Sequence, residues 1–471
     1  MKKITGKRKL LFYGMAGIGM NMLNLIVASY LCDALMTEGF VENAENWTYA
    51  NKTLVVAGIW SIMIAVGKVL DGLIDIPFAG WTDKLKCKWG KRRPAILLGL
   101  IPAIIAYVLF LFPLQNTANS LANTIWFGCL LCIFYAAYTL TMVTYYATFS
   151  EIVDNDKDRV LLSNFKTVFD VIYYVLGYAL IPAFIGNMNI RTIALIFLPL
   201  VLTMLIPLFM IKERSTLDKD IATYKDDEDY EPEETVGIFQ SLKYAVKNKS
   251  FLIWMGVYFA LQFSTQLFLN GQNVIYSGYV QLEGFQITMV MACAFAPVPF
   301  TLILYNKLVR KYGIRVGYIF SLSAYMAAMV VLILSAKTLI PNDTVRLVFA
   351  CFGGVLSSFG TGCFFSINYT IPSTLADIER RETGISHPAM YFAIQGLVGA
   401  VASALSTGII WVNLKAGDAV WAAPLVIIAG SIVSLVATAF MSKQVCNIGK
   451  DMSKAKIAET SDAEAVQEEI K

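Results

Sequence analysis

A single histidine, His387, stands among 471 residues, and that scarcity excludes any mechanism built on a histidine pair or a multi-histidine metal site. Charge is scarce too: 15% of residues are Asp, Glu, Lys or Arg, against about 25% in an average soluble chain. Eight cysteines lie scattered, mostly in apolar segments, and set out no disulfide framework. Cys129 and Cys132 spell a CxxC, but inside an apolar block with no second pair, which reads as packing rather than redox or metal chemistry. No nucleophile elbow and no cluster of metal ligands is present, so an enzyme is not expected, nor a cofactor, nor a nucleic-acid partner.

What fills the space is apolar: 57% of residues are hydrophobic, gathered in long blocks that recur over the whole chain. A bilayer core about 30 Å thick takes ~20 helical residues to cross. Blocks of that size run at 11–31, 54–80, 94–114, 123–149, 165–187 and 191–211, then at 251–275, 286–306, 314–336, 345–371, 388–412 and 421–441. The first continues for about twenty residues, as an uncleaved span does and a signal peptide does not. The pattern predicts an all-α polytopic membrane protein of 12 transmembrane helices. Residues 1–211 and 251–441 form its six-helix halves, 212–250 a charged linker and 442–471 a charged tail.

Basic residues orient such a chain, because they are retained on the cytoplasmic side. With both termini cytoplasmic, 32 of the 38 Lys and Arg fall there; Lys52, Arg191, Lys337, Arg346 and Lys415 fall outside, and Lys68 lies within a span. An internal repeat accompanies this. Asp83–Arg92 ends Trp-Gly-Lys-Arg and Asn306–Arg315 ends Tyr-Gly-Ile-Arg, each joining the second and third helices of its half. Two parallel six-helix halves with a long link describe the major facilitator architecture.

An ionisable group at membrane depth costs at least ~2.5–3.5 kcal/mol unless paired or hydrated. The second block nevertheless carries Lys68, Asp71 and Asp75, whose three- and four-residue steps put them on one helical face. Their charges sum to −1, which one Na⁺ or H⁺ neutralises. Two readings stand: a coupling-cation site, or a structural pair between Lys68 and one aspartate. Lys166 and Asp170 are likewise one turn apart. Neutral polar groups align as well: Gln262, Gln266, Asn270 and Asn273 stripe the seventh block, Asn21 and Asn24 sit a turn apart on the first, and the fourth holds Tyr135, Tyr138, Thr139, Thr141, Thr144, Tyr145 and Tyr146. Amides and hydroxyls suit a polyhydroxylated solute, with aromatic faces stacking on its C–H surfaces; bonds between helices are the alternative.

The segment Asp71 to Pro94 (DGLIDIPFAGWTDKLKCKWGKRRP) resembles the signature of the glycoside–pentoside–hexuronide:cation symporter family, typified by melibiose permease. Tyr13-Gly14, Tyr138-Thr139 and Leu375-Ala376-Asp377 agree with it. The resemblance implies cation-coupled uptake of a sugar or glycoside by alternating access. It implies that Asp71 and Asp75 bind the cation, with Lys68 balancing charge and Thr139 assisting. It further implies that Lys166 and Tyr146 contact the sugar. The helix-1 aspartate of melibiose carriers falls on Asn21, their helix-4 acid on Met142, and their helix-11 lysine near Ala400, with Gln395 the nearest polar candidate. An amide bonds hydroxyls without a carboxylate's charge, and Met142 offers no oxygen to a hard cation.

The expectation is a secondary active transporter of a sugar or glycoside, monomeric, in a bacterial inner membrane. Asp71, Asp75, Thr139 and Lys68 serve Na⁺ or H⁺, while Asn21, Tyr146, Lys166, Gln262, Gln266, Asn270 and Gln395 serve the substrate. Two readings of the same fold remain beside it: an uncoupled facilitator with Asp71 paired to Lys68, and a carrier of a lipid-like or amphipathic solute.

Overall fold

The computed structural model describes residues 3–40, 44–83, 85–153, 156–217, 220, 246–383 and 388–446. His387, most of the expected linker and the tail beyond residue 446 lie outside the described residues. Among the described residues, twelve helices are long and apolar enough to cross a membrane: α1 Lys7–Ala34, α2 Ala57–Asp75, α3 Arg92–Leu109, α4 Leu121–Phe149, α5 Val168–Ile185 and α6 Ile190–Met210, followed by α7 Lys249–Tyr279, α8 Gly284–Tyr312, α9 Ile314–Leu334, α10 Asp343–Pro372, α11 Met390–Ala416 and α12 Val420–Phe440. Among the described residues there is no strand. The twelve apolar blocks fall on these twelve helices, and the protein is an integral membrane protein. Helix continues past three of these bounds: α2 runs on to Asp83, α4 to Glu151 and α10 to Thr383. The helix containing α5 begins at Asp156.

The repeat seen in the sequence has a conformational basis. Gly90 and Gly313 hold the same place in their two turns, and both have positive φ, 84° and 93°. A side chain is strained in that region, so glycine is what lets each chain reverse between helices. At Gly313 the turn closes α8 with a bond from its N–H to Val309 O at 2.8 Å. At the other turn Glu213 caps the start of α3, its Oε2 accepting from Arg92 N at 2.8 Å, where the helix dipole favours an anion.

The chain divides into two compact units. The first comprises Met1–Thr235, Gln266–Met289 and Ala400–Ala423. The second comprises Val236–Thr265, Val290–Gly399 and Pro424–Lys471. In the first, α3 and α4 meet where Gly99 lies against Ala137 and Thr141, and α1 meets α6 where Gly19 lies against the Leu200 carbonyl. In the second, Gly360 seats the Tyr325 ring, Thr301 Oγ1 donates to Ser358 O at 3.1 Å, and Asn248 Nδ2 donates to Tyr391 Oη at 3.0 Å. Small residues and side-chain hydrogen bonds thus join helices whose apolar faces gain little from one another in lipid.

Among the described residues, four helices widen into π turns: α1 at Val27–Leu31, α5 at Leu176–Leu180, α7 at Ile275–Tyr279 and α11 at Ala404–Trp411. All four segments belong to the first unit. They occupy first and fifth place in each set of six, so the internal repeat extends to them. A π turn disturbs the ladder of backbone bonds, and neighbouring hydroxyls bind carbonyls within two of these turns. Tyr30 Oη donates to Gly177 O at 2.7 Å, and Ser61 Oγ to Gly408 O at 2.6 Å.

Candidate functional site

The α2 acids and one face of α4 come together inside the first unit. Tyr135, Tyr138, Thr139 and Tyr146 fall at near-helical steps along α4, which brings their side chains to one side. Thr139 Oγ1 donates to Asp71 Oδ1. Asp75 lies one turn further along α2, half-buried and close enough to feel the charge of Asp71. Lys68 lies 4.5 Å from the centre of the Tyr135 ring, a cation–π seat, and among the described residues it forms no ion pair. Lys68 and Asp71 thus stand within electrostatic reach of each other without direct ion-pair contact. The ring holds the ammonium, and both carboxylates keep oxygens free.

One residue away on α4, a second polar chain begins. Tyr138 Oη donates to Asn21 Oδ1 at 3.0 Å, and Asn21 Nδ2 donates to Asp170 Oδ1 at 3.4 Å. Asp170 Oδ2 pairs with Lys166 across one turn of helix. The Lys166 ammonium also lies 5.1 Å from the Tyr146 ring, whose side chain is 37% exposed. Thus three of the sequence's substrate candidates, Asn21, Tyr146 and Lys166, belong to one connected group. Asp170 joins them as a carboxylate delivered from α5 to an amide on α1. The i, i+4 spacing of Lys166 and Asp170 signalled their pairing, but the contact with Asn21 links helices distant in sequence and left no local sign.

The α7 stripe divides. Asn270 is committed to its neighbours: its Nδ2 donates to Gln266 O at 2.9 Å and Oε1 at 3.1 Å, and its Oδ1 accepts from Ser29 Oγ of α1 at 3.1 Å. Gln266 is half-buried. Gln262 is 8% exposed, and its Oε1 has no partner in the structure. Gln395 lies in the second unit with both ends of its amide engaged, Oε1 accepting from Trp254 Nε1 at 3.0 Å and Nε2 donating to Asn368 O at 2.8 Å.

One further cluster forms at the far end of α1. Asp33, at the end of α1, accepts from Trp411 Nε1 at 2.9 Å and 3.1 Å, and Lys415 Nζ lies 3.8 Å from its Oδ1. Both charged residues stand at the rim of a hydrophobic block, where a charge is ordinary, so neither was singled out.

A family model described as MFS/sugar transport protein matches residues 12–443. An uncharacterised symporter of Synechocystis is 26% identical over 136 residues, 27% of this chain and 25% of that protein, so the match spans a quarter of the relative's length. Solved structures share the fold over nearly the full chain. The nucleoside transporter NupG is 14% identical with a TM-score of 0.60, covering 93% of this chain and 99% of its own. A POT family transporter in complex with 5-aminolevulinic acid is 12% identical with a TM-score of 0.61, covering 93% and 96%.

Proposed function

Because the chain belongs to the MFS/sugar transport protein family, the melibiose permease-like branch of the major facilitator superfamily, we propose that it takes up a sugar or glycoside together with a cation by alternating access. The family is one of transporters, not enzymes. The observation that carries the cation coupling is the arrangement on α2. Asp71 and Asp75 sit a turn apart, Thr139 is fastened to the first, and the one Lys68 ammonium of the same helix face rests on the Tyr135 ring, so the two acids outnumber it. A carboxylate pair left short of positive charge in low dielectric attracts a mobile cation. Na⁺ takes oxygen ligands from both acids and, once its hydroxyl turns, from Thr139; H⁺ needs only one acid to titrate. Either ion removes the surplus charge and lets the occluded state form.

The solute site is the Lys166–Asp170–Asn21–Tyr138 group with Tyr146 beside it, and Gln266 and Asn270 of α7 belong to the same unit; Gln262, in the second unit, is a further candidate contact. Hydroxyls of a sugar exchange for the hydrogen bonds these groups make with one another, and the Tyr146 ring stacks on C–H surface. Asn270 and Gln395 contact solute by releasing bonds they already hold. Tyr138 and Thr139 are neighbours, so a shift of α4 moves both sites together, which is the structural form that coupling takes in this reading. The six-helix halves 1–211 and 251–441, the linker 212–250 and the tail 442–471 make up a monomer with both termini cytoplasmic, in a bacterial inner membrane.

The test is accumulation of labelled sugars from a glycoside panel into proteoliposomes under an imposed Na⁺ or H⁺ gradient. Asp71→Asn and Asp75→Asn are expected to abolish gradient-driven accumulation, and an ionophore to collapse it in the native chain. Native accumulation that survives the ionophore, or is unaffected by both substitutions, refutes coupling at these acids. Equilibration without accumulation would make the chain a facilitator.

A further inference from the structure

Asp33 meets two partners from the far end of the chain, both on α11. The Trp411 indole N–H donates to both its carboxylate oxygens, at 2.9 and 3.1 Å. Lys415 Nζ donates to the Asp33 backbone carbonyl at 2.7 Å, lies 3.8 Å from Oδ1, and sits 4.3 Å from the centre of the Phe40 ring. The shielding from water is nearly complete: Lys415 is 0% exposed, Trp411 2% and Asp33 8%. One helix turn before Trp411, the α11 backbone at Gly408 runs against Ala65 of α2, where a Cβ would come within 2.6 Å of the Ala65 nitrogen. Ser61 Oγ donates to Gly408 O beside that crossing. The Trp411 ring rests on Gly271 of α7, where a Cβ would stand 3.0 Å from it.

These contacts tie α1 and α2 to α7 and α11, and each tie lies in or next to a π turn. We propose that Asp33, Trp411 and Lys415 are the latch of a gate at the end of the helices opposite the chain termini, and that the π turns of α1 and α11 are its hinges. A salt bridge buried without its full set of hydrogen bonds contributes little to stability, but each partner is costly to strand alone. Such a group favours two states: fully closed, or opened to water where both charges are hydrated. A π turn holds one residue more than an α turn, so the segment beyond it can rotate by tightening without unravelling the helix. This gate rests on the reading of the chain as an alternating-access carrier, but on neither the solute nor the coupling ion.

A native reporter sits beneath the latch. Cys32 is 5% exposed, its carbonyl accepts from Trp60 Nε1 at 3.3 Å, and its thiol lies within electrostatic reach of Asp33, Lys415 and Lys68. The experiment uses the full chain with its other seven cysteines replaced by serine, in right-side-out and inverted membrane vesicles, and measures the rate of Cys32 modification by a membrane-impermeant methanethiosulfonate. Asp33→Asn and Lys415→Gln are expected to raise that rate about tenfold in right-side-out vesicles, the factor that losing one charge-assisted bond supplies. Lys52→Gln, a surface change that touches none of the latch residues, should leave it unaltered. If either latch variant fails to give a monodisperse protein, Trp411→Phe removes the indole N–H together with its five-membered ring while leaving both charges in place, and the same acceleration is expected there. Unchanged rates in the soundly folded variants, or acceleration only in inverted vesicles, overturn the gate. Sugar uptake does not enter the readout, so failure of the symport reading and failure of the latch are seen separately.

Discussion

Thr139 has one proton to give, and in this structure it gives it to Asp71. A hydrogen bond to a charged group is worth about 1.5–3 kcal/mol, so losing the hydroxyl changes the affinity of a cation held by Asp71 by about tenfold or more. The bond is made to the cation-free carboxylate, so the sign depends on the ion. For Na⁺, to which the hydroxyl turns as a ligand, Thr139→Val is expected to raise the half-saturating concentration by that factor, whereas for H⁺ it removes a competitor and is expected to lower it. The solute's own binding in saturating cation is nearly preserved in both cases, and Thr139→Ser should restore the native value. Uptake titrated against the cation for the three proteins checks this, and a Val variant equal to the native chain removes Thr139 from the site. On the solute side Tyr138→Phe breaks only the bond to Asn21, leaving the ring, and the Asn21 amide is then free to turn away from Asp170. The expected result is a several-fold rise in KM for solute with little change in the cation requirement, a neutral buried bond being worth about 0.5–1.5 kcal/mol. The acids of α2 were legible because a carboxylate at membrane depth is rare and a four-residue step fixes its face. The partner of Lys68 was not legible. Sequence offers the near aspartate, whereas packing supplies a ring from α4 that only the folded chain brings close.

Helix α1 shows what one element can and cannot declare in advance. Its length and apolar character follow from composition, and so did those of the other eleven helices, because backbone groups in lipid must be paired within their own segment. Its π turn at Val27–Leu31 had no sequence mark: no proline or glycine stands there, and the widening accompanies hydrogen bonds from Ser29 and Tyr30 to other helices. The prolines of these helices behave differently from one another. Pro77 and Pro372 are carried inside continuous helix, whereas α8 is interrupted just before Val298, beside Pro297. Near the middle of α1, Gly19 is a contact point rather than a hinge. Its missing side chain admits the Leu200 carbonyl, and Thr203 Oγ1 donates across the same junction to Ala16 O at 2.9 Å. Gly19→Val must push α1 from α6, an overpacking that costs about 1–3 kcal/mol. The predicted outcome is a lowered thermal midpoint of the detergent-solubilised protein and a smaller monodisperse fraction. Gly58→Ala, where a Cβ meets nothing within 4 Å, is the matched control and should be neutral or slightly stabilising.

At the scale of the whole chain the two six-helix sets were legible, but the way the structure groups its segments was not. The apolar blocks and the doubled Gly-x-Arg turn divide the sequence at the acidic stretch near residue 230, while the first compact unit takes in Gln266–Met289 and Ala400–Ala423 from the later set. Sequence periodicity reports which residues are apolar, not which distant helices share their ends. Those shared ends are held by named bonds: Ser29 to Asn270, Ser61 to Gly408, and Asp33 to Trp411 and Lys415. They predict that the covalent link between the sets is dispensable for holding them together. Cutting the gene after residue 230 and expressing 1–230 and 231–471 from separate promoters should give two fragments that copurify through a tag on either one. Removing a bridging group should weaken that association far more than it weakens the folding of a fragment, since each bridge is made only across fragments. Ser61→Ala deletes one neutral bond and leaves copurification nearly intact. Asp33→Ala strands the Lys415 ammonium in a buried site and frees the Trp411 N–H, at a cost of about 3–5 kcal/mol for a broken buried pair, enough to lower the recovered partner by a large factor. Fragments that fail to copurify, or an Asp33→Ala pair recovered as fully as the native one, would mean that these bonds do not hold the sets together and that the linker does.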